Sequence, residues 1–197
     1  MINKSIIFGI YGVSASGKST LLKIFSGINS SLTIHKKDTT RRPDPKEDLD
    51  EKNIELNFLS KEEFMLNKKN GIYETVYYYS DHFYGIQKEQ ILNAYSNKTI
   101  HCIIVRDINT IKLLKKTYLN FKSIYFHVDP ENVPEFIKRR DRLDSKTRAL
   151  RIKEEFNEFV ENNTLFDHII VNFWNISNAV KQFQNIINHY SINSHIV

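Results

Sequence analysis

The chain has 197 residues, 41% of them hydrophobic and 26% charged, enough for one core-bearing domain with small insertions. A formal charge of +5 suits a polyanionic partner, but there is no long block of Lys and Arg, and no apolar run approaches the roughly 18 residues of a membrane span. The single cysteine, Cys102, excludes an internal disulfide framework and a cysteine-based zinc site; within Ile100-His101-Cys102-Ile103-Ile104 it reads as a small buried hydrophobe.

A short polar lead without the apolar segment of a secretory signal precedes the first element, so a cytoplasmic protein is expected. The apolar run Ile6–Tyr11 predicts a buried strand, and the run from Thr20 to Phe25 predicts a helix spanning about 18–27. Between them Gly12 to Ser19 read Gly-Val-Ser-Ala-Ser-Gly-Lys-Ser, a complete Gly-x4-Gly-Lys-Ser loop. Strand, Gly-rich turn and helix start together place successive backbone N–H groups around a polyphosphate. The expected nucleoside-triphosphate site is Gly12, Val13, Ser14, Ala15, Ser16, Gly17, Lys18, Ser19 and Thr20. Lys18 would reach the β- and γ-phosphates, and the Ser19 hydroxyl would ligate Mg²⁺, the one implied cofactor.

Residues 32–98 break the pattern with a polar loop from Arg42 to Asn53, a short helix over Lys61–Lys68 and the aromatic run Tyr73 to Tyr79. This stretch predicts a small mixed α/β insertion, with Tyr77, Tyr78 and Tyr79 serving sheet packing. Strand-like and helix-like runs then alternate: Thr99–Val105 and 108–117, Ser123–Val128 and 131–140, His168–Val171 and 175–190. That order implies βαβ units, and hence a three-layer α/β/α P-loop NTPase fold around a parallel sheet. The dense basic turn at 139–151 predicts a mobile lid over the phosphate loop, and 191–197 a frayed tail. The expected division is a core of 1–31, 99–138 and 152–190, an acceptor-binding insertion at 32–98, and the lid. His35, His82 and His101 lack ligand spacing.

Seven pieces in order resemble the guanylate kinase family of nucleoside monophosphate kinases over nearly the whole chain. They are Thr39-Thr40-Arg41-Arg42-Pro43, Asn57-Phe58-Leu59-Ser60-Lys61-Glu62-Glu63-Phe64, Tyr73-Glu74, Phe83-Tyr84-Gly85, Asp107, Arg139 to Arg151, and Ile170-Val171-Asn172. The resemblance implies ATP-dependent transfer of a phosphoryl group to GMP or dGMP by a monomer or homodimer, with neither nucleic acid nor membrane as partner. It implies that Arg41 grips the acceptor phosphate, with Tyr84 beside it. Glu74 would read guanine's N1 and N2 hydrogens, Asp107 would make a second acidic contact to the base, and Asn172 would lie near the donor base. Arg139, Arg142 and Arg151 would be lid arginines closing over the transferring group. Read from the residues alone, Asp107 also suits the cap of the helix starting near Ile108.

Four departures bear on the acceptor. A second family arginine is replaced by Asp44, with Arg42 or Lys46 as substitutes; the family tyrosine before Asn-Phe is Leu56; a base-contacting serine is Lys37; and the stretch from Glu74 to Tyr84 is one residue longer than usual. An ammonium only donates, so Lys37 would serve an oxygen such as guanine O6. These changes keep open a kinase acting on another nucleotide or a sugar phosphate. The intact loop argues against the non-catalytic, peptide-binding branch of the family.

Overall fold

The computed structural model describes residues 5–43, 53–96, 99–129, 145–173 and 175–192. Among these residues nine strands fall into two sheets. The larger orders β2-β7-β1-β8-β9: Leu32–Ile34, Ile100–Ile104, Ile6–Tyr11, Phe121–His127 and His168–Val171, every neighbouring pair parallel. The smaller orders β4-β3-β6-β5: Leu56–Phe58, Lys37–Thr39, His82–Gln87 and Tyr73–Tyr79. There β3 and β4 run parallel, and β6 is antiparallel to both neighbours. Among the described residues six helices pack around them: α1 (Lys18–Ile28), α2 (Lys61–Lys69), α3 (Lys88–Ser96), α4 (Ile108–Thr117), α5 (Ser145–Glu161) and α6 (Ile176–Ile192).

β1 is central and buried along its whole length, as an apolar run with neighbours on both edges must be. Phe8 and Ile10 join Leu21, Leu22 and Phe25 of α1 and Phe183 of α6 on one face; Ile7 joins Ile103, Ile111 and Phe121 on the other. Truncating any of these to Ala removes about 2–5 kcal/mol. Phe25 and Phe8 each meet Phe183 edge-on, at 4.8 and 5.8 Å between centroids. The outer strands are pinned by Asp167, whose Oδ2 accepts from Lys115 Nζ at 2.9 Å and from the Ser123 amide at 2.7 Å.

The smaller sheet has local causes. Ser60 and Glu63 close a reciprocal cap at the start of α2. Gly85 leaves room for Tyr73, whose ring carbons lie 2.7 Å from where a Cβ would stand. The strands at Ile6–Tyr11 and His168–Val171 fall where the sequence predicts them, and the predicted helices at 18–27, 61–68, 108–117 and 175–190 shift by two residues at most. Two boundaries move. β2 pairs with β7 in the parallel sheet, so the core extends past residue 31. α3 also belongs to the core, through Ile91 and Ala94 packed with Ile7 and Ile103. The predicted helix at 131–140 lies outside the described residues, as do residues 139–144 of the expected lid, whereas its residues 145–151 form the start of α5 rather than a turn.

Candidate active site

The Gly12–Ser19 loop leaves β1 at the sheet's carboxyl edge, where open parallel sheets hold ligands. Gly12 has φ of 152°, and a Cβ there would meet the Phe126 carbonyl oxygen at 2.4 Å. Gly17, at φ 105°, starts α1. Lys18 is only 4% exposed, and its ammonium donates to the carbonyls of Gly12 and Val13, both at 2.8 Å, and to Ser16 Oγ at 3.1 Å. Burial, helped by the charge of Arg106, pulls Lys18 down to about 7. Asn172, just past β9, donates from Nδ2 to the Ser16 carbonyl at 3.0 Å, and its Oδ1 is buried without a partner among the described residues.

Two carboxylates sit in this cradle. Glu155 of α5 accepts from the Ser14 amide at 2.8 Å and from the Tyr79 hydroxyl at 2.6 Å. Glu55, just before β4, accepts from the Ser19 hydroxyl. Burial alone would raise the Glu55 carboxyl; Lys37, Arg106 and the Ser19 hydroxyl overcome that and hold it below the ordinary value. Ser19 and Glu55 are hard oxygen donors of the kind that suits Mg²⁺. Among the described residues no three His, Cys, Asp or Glu gather as a metal site, so any ion here would take most of its ligands from a nucleotide and water.

The smaller sheet turns one face toward the loop. Tyr77 and Tyr84 stack at 5.3 Å with rings 10° apart, against Leu56. Lys37 lies beneath them, 1% exposed, donating to the Ile104 carbonyl, with its ammonium 6.0 Å from the Tyr84 ring centre. Burial drives Lys37 to about 7, Glu55 opposing and Arg106 and Arg41 reinforcing. Arg41 is half-buried, its guanidinium 5.5 Å from the Phe58 ring centre, and Arg42 is exposed. Asp107 caps α4, accepting the Thr110 amide at 2.6 Å, and also lines a cleft of about 620 Å³ with Tyr79, Arg106, Glu155 and Glu158.

The Glu74 carboxylate is hydrogen-bonded by Tyr118. The register slips between Tyr73 and Thr75, and the bulge absorbs the extra residue noted in the sequence. Thr75 therefore shares the site face with Tyr77 and Tyr79, its hydroxyl 3.1 Å from that of Thr110. Tyr77 and Tyr79 consequently face the site as well as packing the sheet. Arg139 and Arg142 lie outside the described residues; Arg151 is placed by its backbone in α5. Arg106, Glu55 and Glu155 escaped the sequence reading. A charged residue directly after the apolar run Ile103-Ile104-Val105 was the available signal for Arg106, because such a strand end abuts the ligand edge.

A five-stranded parallel sheet whose central strand feeds an intact phosphate loop and helix N-terminus defines a P-loop nucleotide-binding protein. The guanylate kinase family profile matches residues 3–190. The chain belongs to the guanylate kinase family. It is 27% identical over 188 residues to a guanylate kinase of Rickettsia bellii, covering 94% of each chain. It is 28% identical over 172 residues to one from Onion yellows phytoplasma, covering 86% of this chain and 79% of that one. The crystal structure of guanylate kinase from Anaplasma phagocytophilum superposes with a TM-score of 0.70 over 95% of this chain and 87% of that one, at 17% identity, a likeness of fold. A gluconokinase from Sinorhizobium meliloti shares the fold more distantly, with a TM-score of 0.51 at 10% identity over 98% of this chain and 96% of that one.

Proposed function

We propose that the chain transfers the γ-phosphate of ATP to GMP or dGMP. The family match along almost the whole chain, with the phosphate loop intact, carries this reading. Phosphoryl transfer asks a protein chiefly for alignment, dryness and positive charge on the equatorial oxygens. The loop amides and Lys18 hold the donor triphosphate. Arg41 presents a guanidinium fork to the acceptor phosphate, supported by Tyr84. Thr75, Asp107 and Lys37 line the base side, and Arg139, Arg142 and Arg151 belong to the lid that excludes water. Ser19 and Glu55 would hold Mg²⁺, which neutralises charge shared by the β- and γ-oxygens. No general base is needed, because the acceptor phosphate is already anionic.

An assay coupling ADP formation to ATP-Mg²⁺ turnover across GMP, dGMP, AMP, CMP, UMP and ribose phosphates tests this, with GMP and dGMP expected to lead. Turnover of another acceptor with GMP inert rejects it. The hydrogen bond that engages Glu74 with Tyr118 and the buried ammonium of Lys37 favour that second reading, a kinase of the same fold acting on a different phosphorylated acceptor.

A further inference from the structure

Arg106 stands two residues past the end of β7, on the rigid carboxyl edge of the parallel sheet; Val105 before it is fully buried. Its guanidinium lies 5.5 Å from the Tyr79 ring centre and lines the cleft between α5 and the smaller sheet. Burial works against its charge, but Tyr79, Glu55, Glu155 and Tyr84 around it hold the proton more firmly than usual.

Its position between the two halves of the site matters more. Lys18 in the donor loop and Lys37 under the acceptor face both feel its charge. Beside it the Tyr77 hydroxyl, on a residue 7% exposed, is buried with no partner among the described residues, in the combined field of Arg106, Tyr84, Asp107 and Glu55. The two carboxylates that balance Arg106 sit on different parts of the loop: Glu155 takes the Ser14 amide, a group suited to phosphate, and Glu55 the Ser19 hydroxyl, a group suited to the metal. When phosphate oxygens displace Glu155 from the loop amide, the guanidinium that both lysines feel is left facing the incoming anion. An unpaired hydroxyl and a relieved cation then converge on the same space.

Within the kinase reading above, we infer that Arg106 contacts the phosphoryl group as it crosses from donor to acceptor. In that step an acceptor phosphate oxygen forms a bond to the γ-phosphorus while the bond to the β,γ-bridging oxygen breaks. The bridging oxygen keeps the electron pair and leaves on ADP, and no proton has to move. Arg106 donates its N–H groups to the equatorial oxygens, whose charge is spread in the transition state. Arg106 is held in advance at the carboxyl edge of the core sheet.

The test compares full-length wild type with Arg106→Ala and Arg106→Lys, reading turnover with the preferred acceptor, affinity for a nonhydrolysable ATP analogue by calorimetry, and thermal unfolding. Arg106→Ala is expected to lower kcat by about 10²–10³-fold with analogue affinity within about threefold of wild type. Arg106→Lys keeps the charge without the planar fork and should recover less than about a tenth of the rate. Free guanidinium ion should partly restore the Ala variant and leave wild type unaffected, a response that lost packing would not give. If Arg106→Ala fails to fold, Arg106→Lys carries the comparison. A folded Ala variant within about fivefold of wild type, a fully active Lys variant, or an absence of guanidinium rescue overturns the inference. A wild-type chain inactive on every acceptor overturns the kinase reading and this inference together; an active one with unaffected Arg106 variants overturns this inference alone.

Discussion

Lys18 is a buried ammonium that, without nucleotide, turns back onto the carbonyls of its own loop. Lys18→Ala should therefore abolish turnover and weaken ATP binding at least about 10²-fold while the fold persists, checked by calorimetry and circular dichroism. Activity retained by that variant would remove Lys18 from the donor site. Gly12 is less forgiving. With the Phe126 oxygen 2.4 Å from a new Cβ, Gly12→Ala should cost roughly 3 kcal/mol or more, seen as a fall in urea midpoint. Glu74→Gln should leave the preference between GMP and AMP unchanged, because its carboxylate is engaged by Tyr118. A shift of preference in competition assays would return Glu74 to the base. Thr75→Val is the complementary change, and is expected to alter acceptor KM.

At the level of elements, α5 links parts of the chain that no strand joins. Through Glu155 it holds the Ser14 amide and the Tyr79 hydroxyl together, and through Glu158 it accepts from the Tyr11 hydroxyl. Polyphosphate must displace the Glu155 carboxylate from the loop. Glu155→Gln should accordingly tighten ATP binding severalfold and lower the stability of the free protein by about 1–3 kcal/mol, measured by titration and thermal unfolding. Unchanged affinity would mean that the carboxylate does not compete. The elements themselves were largely legible, since β1, α1, β9 and α6 carry uninterrupted apolar runs or helical periodicity beside clear turn residues. The face of β5 was not. Strand alternation assigns Glu74 to one side only if the register is continuous, and the bulge before Thr75 breaks it. Glu55 and Glu155 were equally hidden, since each acquires its role from a partner far away in sequence: Ser19 is 36 residues from one and Ser14 is 141 from the other.

For the molecule as a whole, two lysines buried near one site make stability and ligation depend on pH. Lys18 and Lys37 are both lowered to about 7 by burial, from an ordinary value of 10.5. Between those limits the unfolded chain binds protons that the folded chain does not, so the stability of the free protein should rise as pH increases from about 7 to 9. Below about 7 both ammonium groups are charged and the full cost of burying them is present. Thermal unfolding without nucleotide checks the sign, and a flat or falling midpoint over that interval contradicts it. ATP reverses the preference, because phosphate oxygens favour the charged lysines. Binding should take up protons above about pH 7 and weaken as pH rises, visible as a calorimetric heat that varies with the buffer's ionisation enthalpy. His35, pushed down to about 4 by burial and by His101, works in the acid range: stability should decline as pH falls from 6.5 through 4.

The hold of Asn172 on the Ser16 carbonyl reaches across 156 positions of the chain. A ribosome therefore completes the nucleotide cradle only after the ninth strand has emerged and docked, however early its glycines were made. Cellular ATP would then reward finished molecules alone, shifting the balance between folding and proteolysis in favour of chains whose synthesis has passed that asparagine.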